Sequence, residues 1–185
     1  MPFKNILFIS ILLLVLSKVL VIAHFNLSNT LYLDIDRLVA LLLFLAVYHR
    51  YSQDKEGYKP YGILFISALF VSSLAELFGI AFEKMLILFF MTALVEEILL
   101  RGVLFEILLK RLSAKSTLFS TSLFFTLVHP AVYKDAWYAL AVLITGVLLG
   151  ATYLFFRKQG RVIAIVYATV LHSLIILLGL TTGLI

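Results

Sequence analysis

The sequence has no cysteine and few charged residues. Without cysteine, neither disulfides nor thiolate metal sites can form in the chain. Charged residues make up 14% of the 185 residues, whereas an ordinary soluble domain has about 25%. Polar side chains are therefore too few to cover the surface of a soluble domain of this length.

Apolar residues are abundant, at 63% of the chain. This content excludes disorder, because so much apolar surface cannot be left in water. The net charge of +5 does not indicate nucleic-acid binding, since the basic residues lie in the short gaps between apolar runs. The composition predicts an integral membrane protein, whose surroundings are the lipid bilayer.

A helix needs about 20 mostly apolar residues to cross a bilayer. Apolar runs of about this length recur along the chain. The fold class expected is all-α, a polytopic transmembrane bundle of about seven spans, with six or eight as alternatives. The predicted spans are 5–23, 33–50, 61–82, 85–109, 116–130, 137–156 and 162–184.

Basic residues are distributed unevenly between the two sets of gaps that separate these spans. Of the 15 lysines and arginines, ten fall on one side, three on the other and two within spans. The positive-inside rule then predicts a cytoplasmic N-terminus and an external C-terminus. The location expected is the cell (cytoplasmic) membrane.

The longest polar stretch is Tyr51–Pro60, which is predicted to be a cytoplasmic loop. It suggests a division into two parts. Residues 1–60 would hold accessory N-terminal helices and this loop, and residues 61–185 would form the functional helical core.

Five ionisable residues lie well inside three of the later spans, away from their cytoplasmic ends, where each charged group costs about 2.5–3.5 kcal/mol to insert. They are Glu96, Glu97, Arg101, His129 and His172. Counted at 1.5 Å per residue from the cytoplasmic ends, the three helices carry them at similar depths of roughly 16–21 Å. If these helix faces meet, they form a buried polar cluster.

A purely structural role is the alternative for these residues. Glu97 and Arg101 are four residues apart and can neutralise each other on one helix face. Glu96 points about 100° away from Glu97, so both cannot face the same arginine. Glu106 and Lys110 have the same spacing, which predicts a local ion pair near the cytoplasmic surface.

The cluster has the groups needed to hydrolyse a peptide bond. A glutamate in an apolar pocket can act as a general base, a histidine can share its water, and a second histidine can donate to the oxyanion. The same groups could instead bind zinc through Glu96, His129 and His172. A serine–histidine–aspartate triad is not expected, because no aspartate lies within a predicted span.

Three motifs in order resemble a known family. Glu96-Glu97-x-x-x-Arg101, then Phe125-x-x-x-His129, then His172 are similar to the motifs of the CAAX protease and bacteriocin-processing family. Its members are intramembrane endopeptidases, and they include the Ras-converting CAAX endopeptidase. The similarity covers residues 85–180.

The resemblance implies a role for each matching residue. Glu96 and His129 would activate the water, and Glu97 and Arg101 would orient or neutralise that centre. His172 would contribute to the oxyanion hole. The substrate implied is a membrane-associated protein or peptide.

The sequence departs from the family pattern at one position. The family usually has an asparagine four residues after the last histidine, and here that position is Ile176. Thr169 and Ser173 are the possible substitutes for its hydrogen bond. The departure favours a lineage-specific substrate over a prenylated protein.

Two other functions remain open from the sequence. A non-catalytic membrane partner, such as an immunity or scaffolding protein, could retain the protease fold. A transporter could use the buried glutamates and histidines as a proton relay, although the chain is short and shows no inverted repeat.

Overall fold

The computed structural model describes residues 26–28, 31–32 and 59–183. The chain divides into two units between Lys55 and Glu56. In the first unit, strand β1 (Asn26–Ser28) pairs antiparallel with strand β2 (Leu31–Tyr32). This short pair was not expected from an all-α prediction. The predicted spans 5–23 and 33–50 lie outside the described residues.

The second unit is helical throughout its described length apart from short turns. Its helices are α1 (Lys59–Glu76), α2 (Phe82–Ile87), π1 (Leu88–Leu94), α3 (Val95–Glu97), π2 (Ile98–Phe105), α4 (Glu106–Leu109), α5 (Ala114–Leu127), a 3₁₀ turn (Pro130–Tyr133), α6 (Ala136–Phe156) and α7 (Arg161–Thr182).

Five of these segments follow one another without a break, from 82 to 109, and we call them together the glutamate helix. Its single α-helical turn in the middle, α3, holds Glu96 and Glu97 and is flanked by π-helix on both sides. π-Helix is rare and occurs frequently at functional sites.

The helix bounds agree closely with the predicted runs 85–109, 116–130, 137–156 and 162–184. The run 61–82 was predicted too long, because α1 already ends at Glu76. A turn follows it, and Gly79 there has a φ of 74°, a left-handed conformation that glycine adopts without steric cost.

Local side chains define where two helices begin. Ser113 accepts a hydrogen bond from the Ser116 amide at the start of α5. Asp135 accepts from the Trp137 amide at 2.8 Å at the start of α6. Both are favourable N-caps, because they satisfy amides that lack a partner in the first turn.

Helices α5 and α6 approach each other closely at two glycines. A Cβ on Gly146 would lie 3.1 Å from the Ser122 Cα, and one on Gly150 would lie 2.5 Å from Leu118 Cδ1. Small residues at four-residue spacing allow close helix packing inside membranes.

Apolar side chains fill two clusters between the helices. One joins α1, the start of the glutamate helix and α7, and includes Val71, Phe89 and Ile176. The other joins π2, α5 and α6, and includes Leu100 and Phe125. The outward faces of α5, α6 and α7 also expose large apolar side chains, as expected for helices in contact with lipid.

Within the described residues, two helices, Ala136–Phe156 and Arg161–Thr182, are long and apolar enough to cross a membrane. The number of seven spans and the cytoplasmic N-terminus remain predictions.

Candidate active site

Glu97 is the centre of a hydrogen-bonded group buried between the glutamate helix and α7. Its Oε1 accepts from Arg101 Nη1 at 3.1 Å and from His172 Nδ1 at 2.9 Å. The side chains of Glu97 and Arg101 are fully buried, and His172 is nearly so. The structure therefore brings together three of the five predicted residues by direct contact.

Arg101 also connects this group to α5 and α6. Its Nη2 donates to the backbone oxygen of Gly146 at 3.1 Å. Its Cζ lies 5.0 Å from the centre of the Phe125 ring, a favourable cation–π distance. The guanidinium is thus fixed by a carboxylate, a carbonyl and an aromatic ring on three helices.

The Phe125 ring packs against both histidines. Its ring centre lies 4.5 Å from that of His129 and 5.7 Å from that of His172, both in edge-to-face geometry. His129 follows the end of α5, where its Nδ1 donates to the Phe125 backbone oxygen at 2.7 Å. This bond fixes the ring orientation of His129 and leaves Nε2 available.

Glu96 differs from its neighbour, because its side chain forms no hydrogen bond with any described residue. Its Oε2 is buried and has no partner among them. Glu96 also makes no direct contact with His129 among the hydrogen bonds and ion pairs of the described residues. The Arg101 guanidinium attracts the Glu96 carboxylate electrostatically.

Zinc binding requires that Glu96, His129 and His172 converge on one point. Within residues 59–183, no three histidine or acidic side chains are grouped as ligands of one metal ion. The donor types are suitable for zinc, but their placement does not fit a site.

The predicted pair of Glu106 with Lys110 is wrong. Glu106 Oε1 accepts from Tyr153 Oη at 2.9 Å, and its two oxygens also accept from Arg157 Nε and Nη2. Arg161 Nε lies 3.4 Å from Oε2. Glu106 points towards α6 and the start of α7, whereas Lys110 follows the last turn of α4.

We call Glu106, Tyr153, Arg157 and Arg161 the cytoplasmic cluster, after the predicted orientation. The hydrogen bond that Arg157 donates to Glu106 raises the pKa of Arg157 above its ordinary value, so this guanidinium remains charged. Sequence reasoning missed the cluster, because Tyr153 and Arg157, which form hydrogen bonds to Glu106, are 47 and 51 residues away from it along the chain.

Ile176 occupies the position where the family pattern has asparagine, and it lies in the apolar cluster with Phe89 and Ala93. Of the possible substitutes, Ser173 donates its hydroxyl to the Thr169 backbone oxygen at 2.9 Å. Thr169 is fully buried, and its Oγ1 has no partner among the described residues.

These observations define a class of protein. It is a bundle of apolar helices with a buried glutamate–arginine–histidine network, an adjacent unpartnered glutamate and a second histidine nearby. Such an arrangement is typical of a functional site in a membrane protein, where buried ionisable groups are costly.

The family model for type II CAAX prenyl endopeptidase Rce1-like proteins matches residues 78–178, and the chain belongs to this family. The match covers more than half of the chain and includes all five predicted site residues. No curated protein and no solved structure matches the chain. The family consists of integral membrane peptidases that act on membrane-associated prenylated proteins, and the chain is accordingly an integral membrane protein of a peptidase family.

Proposed function

We propose that the chain is an intramembrane endopeptidase that hydrolyses a peptide bond of a membrane-associated protein or peptide. The observation that carries this proposal is the contrast between two adjacent glutamates. The Glu97 carboxylate is bonded through one oxygen to Arg101 and His172, whereas the Glu96 side chain is partly exposed and forms no hydrogen bond with a described residue. Leaving the buried Glu96 Oε2 without a partner is costly unless a water or a substrate binds to it.

Glu96 is assigned the role of general base. Its carboxylate takes a proton from a water molecule, and the resulting hydroxide attacks the carbonyl carbon of the substrate. His129 shares this water through Nε2, because Nδ1 is already bonded to the Phe125 oxygen. When the tetrahedral intermediate collapses, the proton passes to the leaving amine.

Glu97 and Arg101 are assigned a positioning role, and His172 a role in stabilising the oxyanion. His172 uses Nδ1 to donate to Glu97, so only Nε2 can face a substrate. Glu97 holds the ring in position through Nδ1, as the carboxylate of a catalytic triad does, and Nε2 is the atom that would donate to an oxyanion.

The test compares protein termini by mass spectrometry in cells that produce either the wild-type chain or Glu96→Gln. We expect at least one new terminus with the wild type that is missing with the variant. Glu83→Gln is the matched control, because Glu83 is an exposed glutamate on the same helical segment. Identical termini in all three samples, with equal protein levels, would contradict the proposal.

A non-catalytic membrane partner is the second candidate, favoured by the apolar surroundings of Ile176. It predicts that a Glu96→Gln, His129→Gln double variant still supports the cellular phenotype of the wild type. Loss of the phenotype in a stably inserted double variant would count against this candidate.

A further inference from the structure

Three buried polar atoms around the Glu97 group have no partner among the described residues. They are Glu97 Oε2, Arg101 Nε and Thr169 Oγ1. The first two belong to side chains that are bonded to each other, from Arg101 Nη1 to Glu97 Oε1 at 3.1 Å. All three side chains are fully buried, so bulk solvent does not satisfy them.

Thr169 faces the same stretch of the glutamate helix. One turn before it on α7, the Ile165 side chain contacts Gly102, where an added Cβ would lie 3.0 Å from Ile165 Cδ1. One turn after it, His172 contacts Glu97. Thr169 lies on the same face of α7 between these two contacts, and it therefore faces the glutamate helix between Glu97 and Gly102.

The three atoms are complementary in hydrogen bonding. Arg101 Nε–H only donates, the Glu97 carboxylate only accepts, and the Thr169 hydroxyl does both. A water molecule can accept from Arg101, donate to Glu97 and exchange a third bond with Thr169. Buried waters in proteins typically make about three such bonds to groups that would otherwise be unsatisfied.

We propose that Glu97, Arg101 and Thr169 hold a buried water molecule, and that Thr169 is a positioning residue acting through it. The water fixes the second oxygen of Glu97, and the first oxygen orients His172. This water is distinct from the attacking water, which is assigned to Glu96. The kinetic consequence rests on the proposed peptidase function, whereas the water site itself does not.

The test uses the full chain purified in detergent, with Thr169→Val, Thr169→Ser and the matched control Thr117→Val. Thr117 is also fully buried with an unpartnered hydroxyl, but it lies on α5, two turns before Phe125. We expect Thr169→Val to lower the thermal unfolding midpoint by about 2–4 °C. Thr169→Ser and Thr117→Val are expected to leave it unchanged.

Activity is measured on a quenched fluorescent peptide that ends in a farnesylated Cys-aliphatic-aliphatic-X sequence. Thr169→Val should lower kcat by about tenfold at unchanged KM, the scale of one lost hydrogen bond. Thr169→Ser should restore kcat. In a Glu97→Gln background, Thr169→Val should lower kcat much less, because Glu97, the partner of the water, is already altered.

The proposal is overturned if Thr169→Val matches Thr117→Val in unfolding midpoint, since the hydroxyl then has no water to hold. It is also overturned if Thr169→Ser lowers the unfolding midpoint as much as Thr169→Val does, because that result indicates a packing role for the methyl group. If the wild type does not cleave the peptide, the unfolding midpoints alone decide the water site. If the Thr169→Val protein does not accumulate, Thr169→Ala is compared with Thr169→Ser instead, which again tests the loss of the hydroxyl.

Discussion

Glu97 and Glu106 lie nine residues apart on the glutamate helix and each binds arginine, but the two groups differ in how completely their polar atoms are satisfied. The cytoplasmic cluster gives both oxygens of Glu106 a partner. The Glu97 group is more deeply buried, yet Glu97 Oε2, Arg101 Nε and the neighbouring Glu96 Oε2 have none among the described residues. Unsatisfied buried charge is costly, so its presence at only one of the two groups supports the proposal that this group belongs to the active site.

The largest effect is expected from Glu96→Gln. Loss of a general base typically lowers the rate by about 10²–10⁴-fold, and the protein should still fold, because the Glu96 side chain has no hydrogen bond to lose. Cleavage of the farnesylated peptide measures the rate. Glu106→Gln is the control and should leave the rate unchanged. Equal loss of rate in both variants would remove the functional distinction between the two groups.

Arg101→Met should have the largest effect on stability. It leaves the Glu97 charge buried without its arginine, and breaking a buried pair costs about 3–5 kcal/mol in free energy of unfolding. Denaturant titration in detergent measures this. A Glu97→Gln, Arg101→Met double variant should recover part of the loss. No recovery would mean that Arg101 acts through packing on Phe125 rather than through charge.

Glu106→Gln should reduce stability less, by about 1–3 kcal/mol, through weakened charged hydrogen bonds to Arg157 and Tyr153. The cost is smaller than for Arg101→Met because Arg157 is 37% exposed and water can replace its partner. The same titration checks the order of the two variants. If Glu106→Gln is the more damaging, the cytoplasmic cluster is the principal structural centre.

The smallest effect is expected from Arg161→Gln, at about 0–1 kcal/mol in free energy of unfolding. Arg161 lies 3.4 Å from Glu106 and is 44% exposed, so salt should screen its contribution further. Unfolding at low and high ionic strength measures this difference. A loss comparable to that of Glu106→Gln would show that Arg161 is a full member of the cluster.

The sequence predicted the helical runs of the second unit well, because the length and apolar character of a run are local properties. It also predicted that Glu97, Arg101 and His172 could meet, because charged groups inside a membrane need partners and these lie at matching depth. The partners of Glu106 could not be predicted in this way. Lys110 has the favourable four-residue spacing, whereas Arg157 becomes a neighbour only when α6 packs against the glutamate helix.

The roles of Glu96 and His129 remain predictions, because neither residue is joined to the other by a described contact. The early end of α1 was missed, since the residues after Glu76 are apolar enough to resemble a continued helix. The π-helical segments were also missed, because the pattern was interpreted with the α-helical period.

The π-helix between the two groups determines the angular register of the glutamate helix. Arg101 and Glu106 are five residues apart, and both bond to α6, at Gly146 and Tyr153. In a regular α-helix, residues five apart point about 140° away from each other, so they would not face the same neighbour. A π-helix repeats its hydrogen bond every five residues. π2 therefore brings Glu106 closer to the face of Arg101 than a regular α-helix would. A one-residue deletion within π2 that restores the α-helical repeat would leave the two groups four residues apart, about 40° from each other and still on one face.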